Sequence, residues 1–104
     1  MIIYEVNLDV DAAIATEYRA WLAEHIAHML DLPGFTGAQT YEVVDPTPAP
    51  DRVAFCVHYQ MRDQAALDAY LRDHATRMRA DGAARFGERQ RTSRRVLRVG
   101  AAFA

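Results

Sequence analysis

Lysine is missing from this sequence of 104 residues, and arginine supplies all 12 basic side chains. The acidic residues outnumber them and leave a formal net charge of −2. A chain with this balance lacks the excess of positive charge that attracts nucleic acid or an anionic membrane surface. We therefore expect neither nucleic acid nor a membrane as a partner.

The sequence also has only one cysteine, Cys56, so an internal disulfide is excluded and a reducing compartment is indicated. No charged segment followed by a long apolar stretch opens the sequence, and no apolar run is long enough to cross a bilayer. These absences predict a soluble, cytoplasmic protein. The apolar neighbours of Cys56, Phe55 and Val57, favour a buried structural role for its thiol. The alternative is a nucleophile activated by His58, two residues further along the same strand face.

Composition and length indicate one ordinary globular domain. Hydrophobic residues make up 51% of the chain and charged residues 25%, as in typical soluble proteins. A chain of 104 residues buries enough surface for one modest core without disulfide or metal support. No repeat or linker divides it, so we expect residues 1–104 to form a single domain.

Hydrophobic periodicity predicts four strands and two helices. Strict alternation marks residues 2–10 as a strand, and apolar spacings of three and four predict a helix that ends near residue 31. Further strands are predicted at residues 35–44, 53–61 and 91–99, with the second helix before the last of them. We expect Asp9 or Asp11 to cap the first helix and Asp63 the second. We also expect Gly82 to bend or break the second helix, and Gly87 to end it in the left-handed conformation.

The element order βαββαβ is that of the ferredoxin-like α+β fold. We expect a four-stranded antiparallel sheet in the order 4-1-3-2, with two helices on one face. The apolar faces of strands one and three should then lie under the helices. Their second faces carry Glu5, Asn7, Cys56, His58 and Gln60. This second face either meets solvent or lines a ligand cavity, and its poverty in charged residues favours the cavity.

Several segments together resemble a family of short bacterial proteins of unknown function whose members are dimeric α/β barrels. They are Trp21-Leu22 with His25-Ile26, LDAYLRDH from Leu67 to His74, MRADG from Met78 to Gly82, RFG from Arg85 to Gly87, and SRRVL from Ser93 to Leu97. The resemblance covers nearly the whole chain. It implies the fold and a homodimer, and it brings no activity or catalytic residues with it.

The wider superfamily includes antibiotic-biosynthesis monooxygenases, haem-degrading monooxygenases, muconolactone isomerases and ligand-sensing domains. The resemblance implies that two sheets pack face to face across the dimer, and that each subunit has a pocket between its sheet and its helices. Asn7, Tyr70 and His74 can be compared with the asparagine, aromatic residue and histidine of the haem-degrading branch, although only Asn7 matches well. We expect no bound cofactor.

The candidate site residues come from the sheet, both helices and the last strand. His58 and His25 are the candidates for acid–base catalysis, since histidine titrates near neutral pH. The predicted ligand-binding residues are Asn7, Trp21, His25, His58, Tyr70, His74 and Arg94. Arg95 is an alternative to Arg94, because strand parity alone leaves open which of the two faces the pocket. His25 and His28 have helical spacing for a shared metal, but no third ligand accompanies them, so no metal site is predicted.

Three functions remain open at this point. The first is a small-molecule-binding dimeric barrel without an assignable reaction. The second is a cofactor-independent monooxygenase or isomerase that acts on an aromatic or polyketide-like substrate. The third is a structural or partner-binding dimer. The sequence contains no phosphate-binding loop, dinucleotide fingerprint or zinc motif that would select another class.

Overall fold

The computed structural model describes all residues, 1–104, and contains four strands and three α-helices. The order along the chain is β1 (Ile2–Asp11), α1 (Ala15–Leu30), β2 (Phe35–Glu42), β3 (Arg52–Met61), α2 (Gln64–Asp73), α3 (Ala75–Phe86) and β4 (Gln90–Arg98). Single 3₁₀ turns lead into α1 and into β4. None of the helices is long and apolar enough to span a bilayer.

The four strands form one antiparallel sheet in the order β2-β3-β1-β4. This is the predicted ferredoxin-like order, so the predicted fold class is confirmed. β1 lies in the centre, where Glu5 pairs with His58 of β3 on one side and with Arg95 of β4 on the other. Because side chains alternate along a strand, this register also decides which residues share a face of the sheet.

The hydrophobic core lies between the sheet and the helices. As predicted, Tyr4 and Leu8 of β1 and Val57 and Tyr59 of β3 are buried there. The molecule is only 18 Å thick in its shortest dimension, which corresponds to one sheet and one layer of helices. The second sheet face, called here the open face, carries Ile3, Glu5, Asn7, Tyr41, Cys56, His58, Arg95 and Leu97, and has no further layer of this chain over it.

The second predicted helix is divided at His74, not at Gly82. His74 leaves helical geometry, with φ −131° and ψ −28°, and α3 starts at the next residue. Gly82 lies within α3 and is buried against the ring of Trp21. The expected break at Gly82 was therefore wrong, because the missing side chain makes room for an indole and the helix continues through it. Gly87 ends α3 with φ +54° and ψ −130°, which is a positive φ but not the left-handed helical conformation that we expected.

Of the two helix-capping predictions, one is confirmed and one is wrong. Asp63 is confirmed as the N-cap of α2, since its Oδ1 accepts a hydrogen bond from the amide of Ala66 at 2.8 Å. Neither Asp9 nor Asp11 caps α1: the N-cap position of α1 is Ile14, and Asp11 precedes the 3₁₀ turn without a side-chain capping hydrogen bond. Their carboxylates instead accept hydrogen bonds from Arg52 at 2.8 and 2.6 Å, because Arg52 lies opposite Asp11 at the start of β3.

Candidate functional site

A cavity of about 50 Å³ lies between the sheet and the helices. Its walls are mostly hydrophobic and come from the sheet, α1, α2 and α3. They include five aromatic side chains, Tyr4, Tyr18, Trp21, Tyr59 and Tyr70. His25, Arg79 and Arg94 are the ionisable nitrogen-bearing side chains at its surface. An apolar enclosure with a few inward polar groups is the usual composition of a small-molecule site.

Trp21 and His25 lie one turn apart on α1 and stack on each other. Their ring centroids are 4.7 Å apart and their planes differ by 18°. Burial lowers the pKa of His25 below its usual 6.5, and the nearby charges of His28 and Arg94 act in the same direction against the opposing effect of Asp81. His25 is therefore a neutral imidazole at pH 7, with a lone pair available to accept a proton.

Arg94 brings a permanent positive charge to the cavity. It lies opposite Val6 in the β1–β4 register, so its side chain projects towards the helices, whereas Arg95 projects to the open face. One terminal nitrogen donates to Thr92 Oγ1 at 3.3 Å. The Nε atom is buried and has no hydrogen-bond partner in the chain. A buried donor on a charged group costs more than about 1–3 kcal/mol when it is unpaired, so an acceptor at this point is strongly favoured.

Three tyrosines at the cavity, Tyr18, Tyr59 and Tyr70, are neutral phenols because burial raises their pKa. Burial raises the pKa of Tyr70 to about 12 and shifts the pKa of Tyr59 upward in the same way. The hydroxyl of Tyr4 accepts from Arg79 at 2.8 Å, and the hydroxyl of Tyr18 donates to Gln90 at 2.7 Å. The cavity wall thus offers phenolic O–H groups and aromatic faces, and no carboxylate.

The size of the cavity limits what enters it without movement. A space of about 50 Å³ holds a few water molecules, since one water needs roughly 10–15 Å³ on the same measure. A ring-sized ligand needs a side chain at the rim to move. Arg79 is exposed and Trp21 is partly exposed, so these two are the side chains best placed to do so.

A second polar arrangement, the Glu5 cluster, occupies the centre of the open face and consists of Glu5, Asn7, Cys56, His58 and Arg95. Glu5 is 4% exposed. Its carboxylate accepts hydrogen bonds from Arg95 through both oxygens, from Asn7 at 3.2 Å and from His58 Nε2 at 3.0 Å. The ring of Tyr41 packs edge-on against His58.

These contacts determine the ionisation of the Glu5 cluster. The hydrogen bonds from Arg95, followed by those from His58 and Asn7, lower the pKa of Glu5 to about 2 against the opposing effect of burial. Burial and the Glu5 charge raise the pKa of the Cys56 thiol to about 11. The free thiol is therefore protonated at neutral pH, which opposes its use as an activated nucleophile.

The structure separates the predicted site residues into three places. Trp21, His25, Tyr70 and Arg94 line the cavity. Asn7 and His58 lie on the opposite face of the sheet, within the Glu5 cluster. Asn7 and His58 therefore do not line the cavity between the sheet and the helices: their polar groups converge on Glu5. That the face with Asn7 and His58 lines a ligand cavity of its own stays a prediction.

His74 lies away from both places, at the junction of α2 and α3. Its Nδ1 accepts a hydrogen bond from Arg77 at 2.9 Å, and its ring is stacked on Tyr70 with centroids 6.5 Å apart. Asn7, Tyr70 and His74 therefore do not converge, and the comparison with a haem-degrading set fails on geometry.

Sequence reasoning missed Tyr4, Tyr59 and Arg79 at the cavity and the pairing of Glu5 with Arg95. The sequence pattern could have identified the two tyrosines, since both lie on the strand faces that were predicted to meet the helices. No sequence pattern could have identified Arg79 and Arg95, because their hydrogen-bond partners lie 75 and 90 residues away in sequence.

Solved structures with the same fold extend over the whole chain. A proposed antibiotic biosynthesis monooxygenase from Deinococcus radiodurans is 15% identical, with a TM-score of 0.69 over 100% of this chain and 97% of that one. SnoaB, a cofactor-independent oxygenase from Streptomyces nogalater, is 17% identical, with a TM-score of 0.64 over 97% and 95%. A variant of MhuD with two manganese protoporphyrin IX molecules per active site is 16% identical, with a TM-score of 0.67 over 98% of both chains.

At these identities the likeness shows the fold alone, which this chain shares with the antibiotic biosynthesis monooxygenases. No curated protein matches the sequence. Over residues 1–100 the chain matches the model of a domain of unknown function, DUF4286. This protein therefore belongs to the DUF4286 family.

Proposed function

We propose that this protein binds a small aromatic acid in the cavity between its sheet and its helices. The observation that carries the proposal is the buried Nε of Arg94, a charged donor without a partner beside an aromatic cavity. A carboxylate or phenolate oxygen would satisfy that donor. Charge-assisted hydrogen bonds of this kind are roughly twice as strong as neutral ones.

The other walls of the cavity suit the ring of such a ligand. Tyr4, Tyr59, Tyr70 and Trp21 offer aromatic faces and edges, which pair favourably with another ring. No acidic side chain lines the cavity, so a bound anion meets no like charge. Entry of a ring requires the outward movement of Arg79 or Trp21.

We further propose that the protein works as a cytoplasmic homodimer whose two copies meet across the open face. The sheet has no layer over that side, and Tyr41 is 48% exposed there. A second copy would cover the side chains of Tyr41, Ile3 and Leu97. The charge of −2 and the lone cysteine support the absence of a nucleic-acid or membrane partner and a reducing compartment.

Native mass spectrometry of the freshly purified protein tests subunit number and co-purifying ligand together. We expect a dimer mass, with an added small-molecule mass on part of the population. Tyr41→Arg should shift the protein to the monomer, since it places a charge in the contact, whereas Glu24→Arg on the exposed side of α1 should leave the dimer intact. A monomeric wild-type protein at micromolar concentration would contradict the dimer.

A fluorescence titration tests ligand class, because Trp21 is the only tryptophan and lines the cavity. The probes are benzoate and 1-naphthoate, each compared with its neutral amide. We expect each acid to change Trp21 emission with a higher affinity than its amide. Equal affinities of acid and amide would contradict the role of Arg94, and no response to any probe would favour a structural or partner-binding dimer.

A second function, proton abstraction leading to isomerisation or cofactor-independent oxygenation, is favoured by one specific observation. His25 is a neutral base in the cavity, and its pKa is influenced by the charge of Arg94. His25 would take a proton from an activated C–H group of an aromatic substrate, and Arg94 would stabilise the resulting oxyanion. With dioxygen as the oxidant, an activated methylene would become a carbonyl and water would be released.

Solvent deuterium exchange distinguishes this enzyme from a binding protein. The probe is a polycyclic aromatic ketone with an acidic ring methylene, monitored by nuclear magnetic resonance, with oxygen uptake recorded in parallel. Catalysed exchange that is lost in His25→Gln and retained in His28→Gln would support the enzyme. Exchange at the uncatalysed rate would leave binding as the function of the cavity.

A further inference from the structure

The Glu5 cluster brings three different metal-binding atoms to one point of the open face. Glu5 Oε1 lies 3.7 Å from Cys56 Sγ and 3.0 Å from His58 Nε2. All three donor atoms lie within 4.8 Å of one another. The side chains come from two neighbouring central strands, β1 and β3, so the backbone holds them in place without a loop.

Two of the three donor separations are close to those of a tetrahedral zinc site, and the third, from Cys56 Sγ to His58 Nε2, is no more than 4.8 Å. With Zn–S near 2.3 Å and Zn–N and Zn–O near 2.0 Å, the edges of a tetrahedron measure about 3.3 to 3.6 Å. The observed 3.0 and 3.7 Å differ from those edges by a few tenths of an ångström. Rotation of the side chains absorbs such a difference without a backbone shift.

We propose that Glu5, Cys56 and His58 form a binding site for a divalent zinc-class metal ion. Thiolate, imidazole and carboxylate together are the donor set that zinc prefers, while magnesium and calcium select oxygen ligands alone. Three protein ligands leave a fourth position for water or a further ligand. This site is distinct from the cavity, which lies on the other side of the sheet.

The two oxygens of Glu5 already have different environments. Oε2 accepts hydrogen bonds from Arg95 Nε and Asn7, whereas Oε1 points to Cys56 and His58 and is shared with the second nitrogen of Arg95 at 3.0 Å. When a metal takes Oε1, Arg95 keeps Oε2 and orients the carboxylate from outside. Hydrogen bonds of this kind to a ligating carboxylate are a general feature of metal sites.

Metal binding requires a defined movement of protons. The Cys56 thiol loses its proton to solvent and coordinates as thiolate. The Nε2 proton that His58 donates to Glu5 is lost to solvent while Nδ1 takes one up, so the neutral ring coordinates through Nε2 with no net change in its proton count, and Glu5 is already ionised. One proton is therefore released for each metal ion bound, and no oxidation or reduction takes place.

Cobalt(II) titration of the full-length protein tests the site, because cobalt reports its own ligands in the absorption spectrum. We expect one equivalent to bind, with the visible bands of tetrahedral coordination and the ultraviolet charge-transfer band of a cobalt–thiolate bond. Zinc should remove both signals by displacement. Cys56→Ser should abolish the charge-transfer band. His58→Gln and Glu5→Gln should weaken binding by at least about tenfold.

The control variants are His25→Gln and His28→Gln, the other pair of histidines with metal-compatible spacing, which should bind cobalt as the wild type does. Circular dichroism shows whether each variant is folded. A further measurement uses the wild type alone: zinc should slow the reaction of Cys56 with a thiol reagent.

Absence of the thiolate band at saturating cobalt, or an unaltered band in His58→Gln, would overturn the proposal. Benzoate binding is measured by Trp21 fluorescence and metal binding by cobalt absorption. A failure of the proposed ligand binding can therefore be distinguished from a failure of the proposed metal site.

Discussion

The indole of Trp21 and the imidazole of His25 lie nearly parallel on consecutive turns of α1, with their ring centroids 4.7 Å apart. Both side chains line the cavity, and no other tryptophan contributes to the fluorescence of the protein. The stacked pair therefore reports two things in one signal: the protonation of His25 and the occupancy of the cavity beside it.

We predict that Trp21 emission falls as the pH is lowered, with a midpoint below 6.5, because burial lowers the pKa of His25 from that value and an imidazolium quenches a stacked indole. The lowered pKa of His25 also sets how the stability of the protein changes with pH. Between the ordinary and the lowered pKa the unfolded chain binds more protons than the folded one, so the free energy of unfolding decreases as the pH falls below 6.5. A fluorescence titration and urea denaturation at several pH values measure both effects.

His25→Gln should remove the fluorescence transition, and His28→Gln should preserve it, since His28 is exposed on the same helix. A midpoint above 6.5, or a transition that survives in His25→Gln, would show that the imidazole is not the buried neutral base described above.

Gly82→Ala should reshape the cavity with little effect on stability. A Cβ at this position would lie 3.0 Å from Trp21 Cη2 and 3.0 Å from Gln90 Nε2, so both side chains must shift slightly. Alanine gains about 1 kcal/mol over glycine in a helix interior, which offsets the crowding. We expect a net change in the free energy of unfolding within about 1 kcal/mol, a shift in Trp21 emission and weaker benzoate binding.

Gly100→Ala is the matched control, because a Cβ there meets nothing within 4 Å. It should alter neither emission nor binding. If Gly82→Ala also left emission unchanged, the close packing of α3 against Trp21 would be refuted.

The sheet was the part of the fold most open to prediction from sequence. Alternation in residues 2–8 identified the face of β1 that meets the helices, and the antiparallel order followed from the order of the elements. Asp63 was equally readable, because an N-cap depends on local contacts alone. The break at His74 could not be predicted, since local propensity gives no reason for α2 to end there. The glycine at position 82 pointed to a break at the wrong place.

The site was less predictable for an electrostatic reason. Polar residues on a strand face are compatible with a cavity, with solvent, or with mutual pairing, and sequence spacing does not separate the three. Glu5 pairs with Arg95, which lies 90 residues away, and that pairing gathers the polar groups of this face around one carboxylate. Arg94 and Arg95 exchange roles on a shift of one residue in register, which only the observed β1–β4 pairing resolves.

Gly34→Ala should destabilise the protein by more than about 2 kcal/mol, for two separable reasons. Gly34 has φ +87°, which an L-residue adopts at a cost, and its Cβ would lie 2.5 Å from Ala66 Cβ. Chemical denaturation measures the loss.

The double variant Gly34→Ala with Ala66→Gly separates the two causes. It removes the overlap and keeps the backbone strain, so it should be more stable than the sum of the two single changes predicts. Additive losses would mean that the turn before β2 does not approach α2 as closely as the structure shows.

In the proposed complex Arg94 holds the acidic group of the ligand, and calorimetric titration of benzoate and benzamide into Arg94→Gln measures that contact. The matched control is Arg91→Gln, which removes the same charge from an exposed position of β4 that does not line the cavity. We predict that Arg94→Gln weakens benzoate binding by about tenfold or more, the loss expected for a charge-assisted hydrogen bond, while benzamide binding and the Arg91→Gln protein stay unchanged. Equal losses for benzoate and benzamide, or equal losses in the two variants, would contradict this role of Arg94.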